Sequence, residues 1–190
     1  MSRVGVFGGT FDPVHLGHLR AAENAREALG LAEVIFVPSG CPPHRAQPGG
    51  SPFDRYAMVA LATAAHPGFV ASDLEVGREG PSYTVDTLEA LQALRPEAEL
   101  VLIVGSDTYP EMATWREAER VRSLCTVAVV PRPGEDAGPP PADPRVARVD
   151  GAGLPISASQ VRERLRQGRS VRYLVPEGVA EYIAKRRLYR

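Results

Sequence analysis

Two histidines, His15 and His18, stand three residues apart with Gly17 between them, in a segment that reads GGTFDPVHLGH from Gly8. Imidazole offers N–H donors, and residues three apart on a helix share one face, so both rings can address one spot. A glycine inside that helix costs ~1 kcal/mol relative to alanine, a cost more readily tolerated where something must lie against the backbone. Just upstream, Gly8 and Gly9 follow the apolar residues Val4, Val6 and Phe7. Glycines there let the chain turn sharply and approach a ligand, while the next helix presents free N–H groups at its N-terminus. Together these features outline an anion site, although the Gly-Gly turn taken alone equally suits a purely structural role. The segment is not the dinucleotide fingerprint, because no third glycine follows at the right spacing. It is not a Walker loop either, because Gly-Lys-Ser/Thr is missing. Histidines so spaced can also ligate a metal, but no third ligand is evident and no metal residue is assigned.

A second anion site is legible in ISASQVR, residues 156–162. Ser157 and Gln160 fit a capping box, and Ile156 with Val161 fits a hydrophobic staple around it. A bare helix start leaves Ser159 and Arg162 unexplained. An arginine early in a helix faces the positive end of the dipole, where an acid is favoured. Hydroxyl, free N–H groups and guanidinium together suit a phosphate chain.

The elements that must hold these residues alternate. Residues 3–7, 33–37, 69–76, 100–104, 126–130 and 145–149 are short, apolar and strand-like. Between and after them, 15–29, 53–66, 84–94, 115–124, 157–167 and 177–187 carry helical spacing, the first closing on Gly30 as a C-cap. This alternation predicts a Rossmann-like, doubly wound α/β fold, with a mostly parallel sheet, helices on both faces and helices at the C-terminus. Two segments, 38–52 and 131–144, are dense in proline and glycine and are read as loops. The second is read as plain surface. The first carries His44 and Arg45 and follows the second strand, where a lid over a ligand would lie.

At 190 residues the chain is read as one domain, 1–190. Its 22 basic and 23 acidic residues leave a net charge of −1, which argues against a nucleic-acid-coating surface, so local charge must hold any anion. Cys41 and Cys125 cannot build a disulfide framework or a four-cysteine zinc site. No leader-like apolar segment opens the chain and no 18-residue apolar run occurs, so a cytoplasmic protein without a membrane partner is expected. The oligomeric state stays open.

H-x-G-H after a glycine-bearing strand–helix turn resembles the signature of the nucleotidyltransferase superfamily, in the form found in bacterial nicotinate-nucleotide adenylyltransferases. PPHR (42–45), GPSYTVDTL (80–88), GSD followed by Trp115, PRPG (131–134), ISASQVRERL (156–165) and RYLVPEGVAEYI (172–183) agree in order along nearly the whole chain. The family usually reads Ile-Ser-Ser-Thr-x-x-Arg at the second site, where this chain has Ala158 and Ser159. The arginine is kept, and one hydroxyl is in question.

The resemblance implies transfer of AMP from ATP to nicotinate mononucleotide, giving deamido-NAD and pyrophosphate, with Mg²⁺ carried mostly on phosphate oxygens. On it, His15, His18 and Arg162 are the catalytic candidates. Gly8, Gly9, Thr10, Phe11, Gly105, Asp107, Ile156, Ser157 and Ser159 join them in holding ATP. His44, Arg45, Thr84 and Trp115 are assigned to the mononucleotide, Trp115 by stacking on the pyridine ring. Read from the residues alone, Trp115 equally suits the core at a helix start, Thr84 a helix cap, and Arg45 a solvated loop. Around Thr84 and Trp115 no acidic residue is recognisable as an acceptor for an amide. Two alternatives remain. One is a relative using another phosphate acceptor, of phosphopantetheine or polyol phosphate type; the other is a non-catalytic nucleotide sensor.

Overall fold

The computed structural model describes residues 2–42, 48–132 and 143–190. Six strands form one sheet, β1 (Ser2–Gly9), β2 (Glu33–Pro38), β3 (Phe69–Ala71), β4 (Ala98–Gly105), β5 (Thr126–Val130) and β6 (Val146–Arg148). Their order is β3-β2-β1-β4-β5-β6, and every neighbouring pair is parallel. The strands read as continuous apolar runs because both faces of the sheet are covered. On one face, α1 (Leu16–Leu29), α2 (Pro52–Thr63), α5 (Ala158–Arg166) and α6 (Glu177–Arg186) bury Ala22, Met58, Val161 and Ile183 against Val101 and Ile103. On the other, α3 (Thr84–Leu94), a 3₁₀ turn (Tyr109–Thr114) and α4 (Ala118–Leu124) bury Leu88, Met112 and Val121 against Val4, Leu100 and Leu102. The doubly wound expectation holds, with all six strands parallel. Among the described residues no helix is long and apolar enough to cross a membrane.

Local signals set most boundaries. Gly30 closes α1 in the left-handed conformation (φ 61°), and Ser51 caps α2 by accepting from the Asp54 N–H. Three differences from the sequence reading bear on the site. The third strand stops at Ala71, because the chain turns back through the Val76 N–H to Asp73 carbonyl bond. Trp115 does not begin a helix; it ends the 3₁₀ turn with extended backbone, and Glu117 (φ 53°) separates it from α4. Gly8 and Gly9 belong to β1, paired with Val37 and Pro38 of β2, so the turn falls on Thr10–Val14. Its one left-handed residue, Phe11 (φ 49°), is buried with its ring on Phe7 and Phe36.

The strand order changes direction between β1 and β4, and crossovers diverge there, leaving a crevice at the carboxyl ends of the two strands. A cavity of about 320 Å³ occupies it, walled by Gly8, Gly9 and Gly105 from the strand ends, by His15 and His18, and by Trp115.

Candidate active site

His15 is the N-cap of α1, with extended backbone, and His18 is three residues on. Their rings stack at 3.6 Å between centroids and 24° between planes, so the shared face predicted from the spacing is real. Gly17 makes this possible. A Cβ there would stand 3.0 Å from His15 Nδ1 and 3.4 Å from the Ile156 carbonyl oxygen. The backbone that α1 exposes at Gly17 is therefore packed from two sides, one of them the second predicted motif. At the strand end the two glycines divide the work differently. A Cβ at Gly9 would meet the Phe11 ring at 3.0 Å, whereas one at Gly8 would meet nothing and would only fill the cavity.

The proton positions follow from the hydrogen bonds. The His15 N–H donates to His18 Nδ1 at 3.2 Å, so a neutral His18 carries its proton on Nε2. His15 Nδ1 is buried with no partner. An orphaned buried N–H is rarer than an orphaned lone pair, which assigns the His15 proton to Nε2 as well. Burial, joined by the positive charge of Arg132, draws His15 from 6.5 to about 4. His15 is thus a neutral donor at ordinary pH.

Arg132 was not singled out by sequence, because the segment that begins at Pro131 reads as plain surface. Pro131 and Arg132 in fact line the cavity, directly after β5. PRPG was the available signal. Arg132 Nη2 stands 2.6 Å from Asp107 Oδ2. Desolvation pushes the Asp107 carboxyl up, but the hydrogen bond and charge of Arg132 outweigh it, and Asp107 is held below its usual range.

Thr84, Trp115, Ser82, Thr87 and Glu75 share a further stretch of the cavity wall. Thr84 is the first helical residue of α3 rather than its cap, a place taken by Tyr83. Glu75 stands on the same wall as Thr84 and Trp115, where the sequence offered no recognisable acidic acceptor. Its carboxyl is buried and accepts from Thr87 Oγ1 at 2.5 Å. Desolvation raises it, against the hydrogen bonds from Thr87 and Ser82, so it holds its proton more tightly than an ordinary glutamate. No motif marked Glu75; only the turn after β3 brings it under α3.

The second motif reaches the cavity through Ile156. Ser157 caps α5 by accepting from the Gln160 N–H at 3.1 Å. Arg162 and Ser159 acquire local partners. Arg162 Nη1 donates to the Asp12 carbonyl at 2.6 Å and Nη2 to Ser159 Oγ at 3.3 Å. Asp107, Ser157, Ser159 and Arg162 stand outside the cavity lining itself. His44 and Arg45 lie outside the described residues, as does the middle of the segment read as a lid.

One buried cation went unnoticed in the sequence. Arg55, on the inner face of α2, is fully buried. It donates to the carbonyls of Thr10 at 2.8 Å, Gly40 at 3.0 Å and Gly50 at 3.3 Å, tying the loops after β1 and β2 together. A lone arginine in an amphipathic helix reads as surface charge, so no sequence signal distinguishes it.

Known proteins resemble this chain in sequence and in fold. A profile of the cytidylyltransferase-like family matches residues 6–164. A probable nicotinate-nucleotide adenylyltransferase of Thermus thermophilus is 47% identical over 99% of this chain and 100% of its own. One from Geobacter metallireducens is 44% identical over 98% of each. In fold, the nicotinic acid mononucleotide adenylyltransferase of Plasmodium falciparum, solved with NaAD, superposes with a TM-score of 0.82 at 19% identity, covering 100% of this chain and 98% of that one. With full-length relatives at this identity, the chain belongs to the nicotinate-nucleotide adenylyltransferase family of cytidylyltransferase-like proteins.

Proposed function

We propose that the chain, acting as a single nucleotidyltransferase domain over 1–190, transfers AMP from ATP to nicotinate mononucleotide. A phosphate oxygen of the mononucleotide attacks the α-phosphorus of ATP in line. The new O–P bond forms as the bond to the β-phosphate oxygen breaks, and pyrophosphate leaves with that electron pair. The attacking oxygen is already anionic, so no strong base and no covalent intermediate is required; the protein has to position two anions and offset charge on the transferring group. The observation that carries this reading is the stacked His15–His18 pair at the strand-switch cavity, each ring with its proton assigned to Nε2.

In this reading His18 is the transition-state donor and His15 a neutral donor to the phosphates. The backbone of Gly8, Gly9, Thr10 and Phe11 lies along the nucleotide, and Gly105 and Asp107 face the adenosine or its ribose. Arg162, Ser157 and Ser159 receive the β- and γ-phosphates at the α5 end. Among the described residues no three histidine, cysteine or acidic side chains converge as a cation cage. Mg²⁺ accompanying ATP would be carried mostly on the phosphate oxygens.

Thr84 and Trp115 form the side of the cavity assigned to the pyridine ring; His44 and Arg45 stay assigned to its phosphate on family resemblance alone. Fixed N–H donors favour a carboxylate over a carboxamide, because charge-assisted bonds are roughly twice as strong and an amide NH₂ would leave donors unpaired. The proton-holding tendency of Glu75 works in the same direction, since an ionised acid there would repel a second carboxylate. The test is pyrophosphate release with ATP and a panel of acceptors: both mononucleotides, phosphopantetheine and glycerol phosphate. kcat/KM should favour nicotinate over nicotinamide mononucleotide by about tenfold to a hundredfold or more. Binding should also quench the emission of Trp115, the sole tryptophan. Equal kcat/KM for the two, or release only with another acceptor, would refute the assignment.

A further inference from the structure

The turn between β1 and α1 contains a buried carboxylate, Asp12, for which the reaction above has no use. Its two oxygens are fully engaged. Oδ2 accepts from the Gly49 N–H and Oδ1 from the Gly50 N–H, both at 2.9 Å, and Oδ1 also accepts from the Tyr189 hydroxyl at 2.6 Å. Tyr189 is the penultimate residue of the chain. Asp12 is also the residue that holds Arg162, through its carbonyl at 2.6 Å and through Oδ2 at 3.7 Å from Nη1. The root of the loop after β2, the guanidinium beside α5 and the end of the chain thus converge on one side chain.

The C-terminal tail is delivered there with little freedom. Tyr182 and Arg186 of α6 both donate to Asp54 of α2, at 2.9 Å and 3.1 Å, which fixes the helix that leads to Tyr189. The loop leaves space for the ring. A Cβ at Gly49 would stand 2.9 Å from Tyr189 Cδ1, and one at Gly50 would stand 3.0 Å from its hydroxyl and 3.3 Å from Asp12 Oδ1. Burial and the Asp12 carboxylate push the phenol well above its ordinary range, so the hydroxyl remains a donor.

We propose that Tyr189 is a positioning residue for the adenylyl transfer: its hydroxyl fixes Asp12, and Asp12 aims the guanidinium of Arg162 at the nucleotide phosphates. This rests on the reading of Arg162 as a phosphate contact. A planar fork gains from being held in place, because two parallel bonds form only within a narrow range of angles. Removing the hydroxyl leaves the Asp12 carboxylate with its two backbone donors but less restrained, which alters the charge facing Arg162 Nη1 at 3.7 Å while the bond from Nη1 to the Asp12 carbonyl remains.

The experiment is a double-mutant cycle between Tyr189→Phe and Arg162→Ala. It reads kcat/KM for ATP and, separately, the dissociation constant of a non-hydrolysable ATP analogue by calorimetry. Tyr189→Phe alone should lower kcat/KM for ATP about five- to tenfold and weaken analogue binding, with the mononucleotide KM within about twofold of wild type. In the Arg162→Ala background the same substitution should change both readings less than about twofold. Gly50→Ala, which crowds the same hydroxyl from the loop side, should reproduce this Arg162-dependent loss and decides the matter if Tyr189→Phe does not fold. Equal losses in both backgrounds would make Tyr189 a scaffold residue only and overturn the proposal, as would no loss in either. A wild-type chain that binds the analogue through Arg162 but releases no pyrophosphate with any acceptor would refute the proposed reaction instead, and the binding cycle would still decide the role of Tyr189.

Discussion

Replacing His15 with phenylalanine should flatten the acid limb of the protein's stability profile. Burial, with the charge of Arg132, places the folded imidazole at about 4, against 6.5 for a free histidine. Between these values the unfolded chain binds a proton that the folded chain does not. The neutral ring's contribution is complete above about pH 6.5 and is lost as pH falls towards 4. At roughly 1.36 kcal/mol per pH unit, the full loss is about 3 kcal/mol. In a chain of this length that corresponds to roughly 6–12 °C in Tm. Phenylalanine keeps a ring stacked on His18 and cannot titrate. Any packing cost it carries is independent of pH, so the comparison is between slopes and not absolute stabilities. Urea unfolding from about pH 7 down to about pH 4.5 should show wild type losing more stability than His15→Phe, by about 2–3 kcal/mol. His15→Asn provides a second non-titrating side chain. Parallel slopes in wild type and both variants would refute the argument that His15 is folded as a neutral ring.

His18→Ala should lower kcat by two or more orders of magnitude, about 3 kcal/mol, with Tm nearly unchanged; near-wild-type turnover in the folded variant would remove His18 from the mechanism. Arg162→Ala should weaken ATP turnover while α5 persists, because Ser157 still caps it, and Arg162→Lys should recover only part, since a point charge cannot reproduce the fork; full activity in both would reduce Arg162 to the structural partner of Asp12. Glu75→Gln keeps an acceptor for Thr87 and removes a buried acid whose ionised form is disfavoured, a penalty present at neutral pH and absent once both states are protonated. Its Tm should therefore exceed wild type at neutral pH, with the gain vanishing below about pH 4.3; a gain independent of pH would point to packing instead.

Periodicity and punctuation determined much of this protein. Short apolar runs alternating with amphipathic stretches have few other ways to bury both faces of a sheet, so the parallel fold followed from pattern alone. The His15–His18 pair was equally legible. Helical geometry fixes what residues three apart can do, and Gly17 signalled that something packs on the helix there. Tertiary structure alone decided which distant side chains come together around the site. The charge of Arg132, directly after β5, acts on His15 because β5 lies beside β4; Glu75 enters the cavity because β3 stops early; Tyr189 meets Asp12 across a separation of 177 residues because α6 is pinned to α2. Glu75 and Tyr189 leave no local signature, and PRPG marks Arg132 without revealing its partner. A buried arginine or acid has the same letter as a solvated one, and only the packing that strips its water gives it a role.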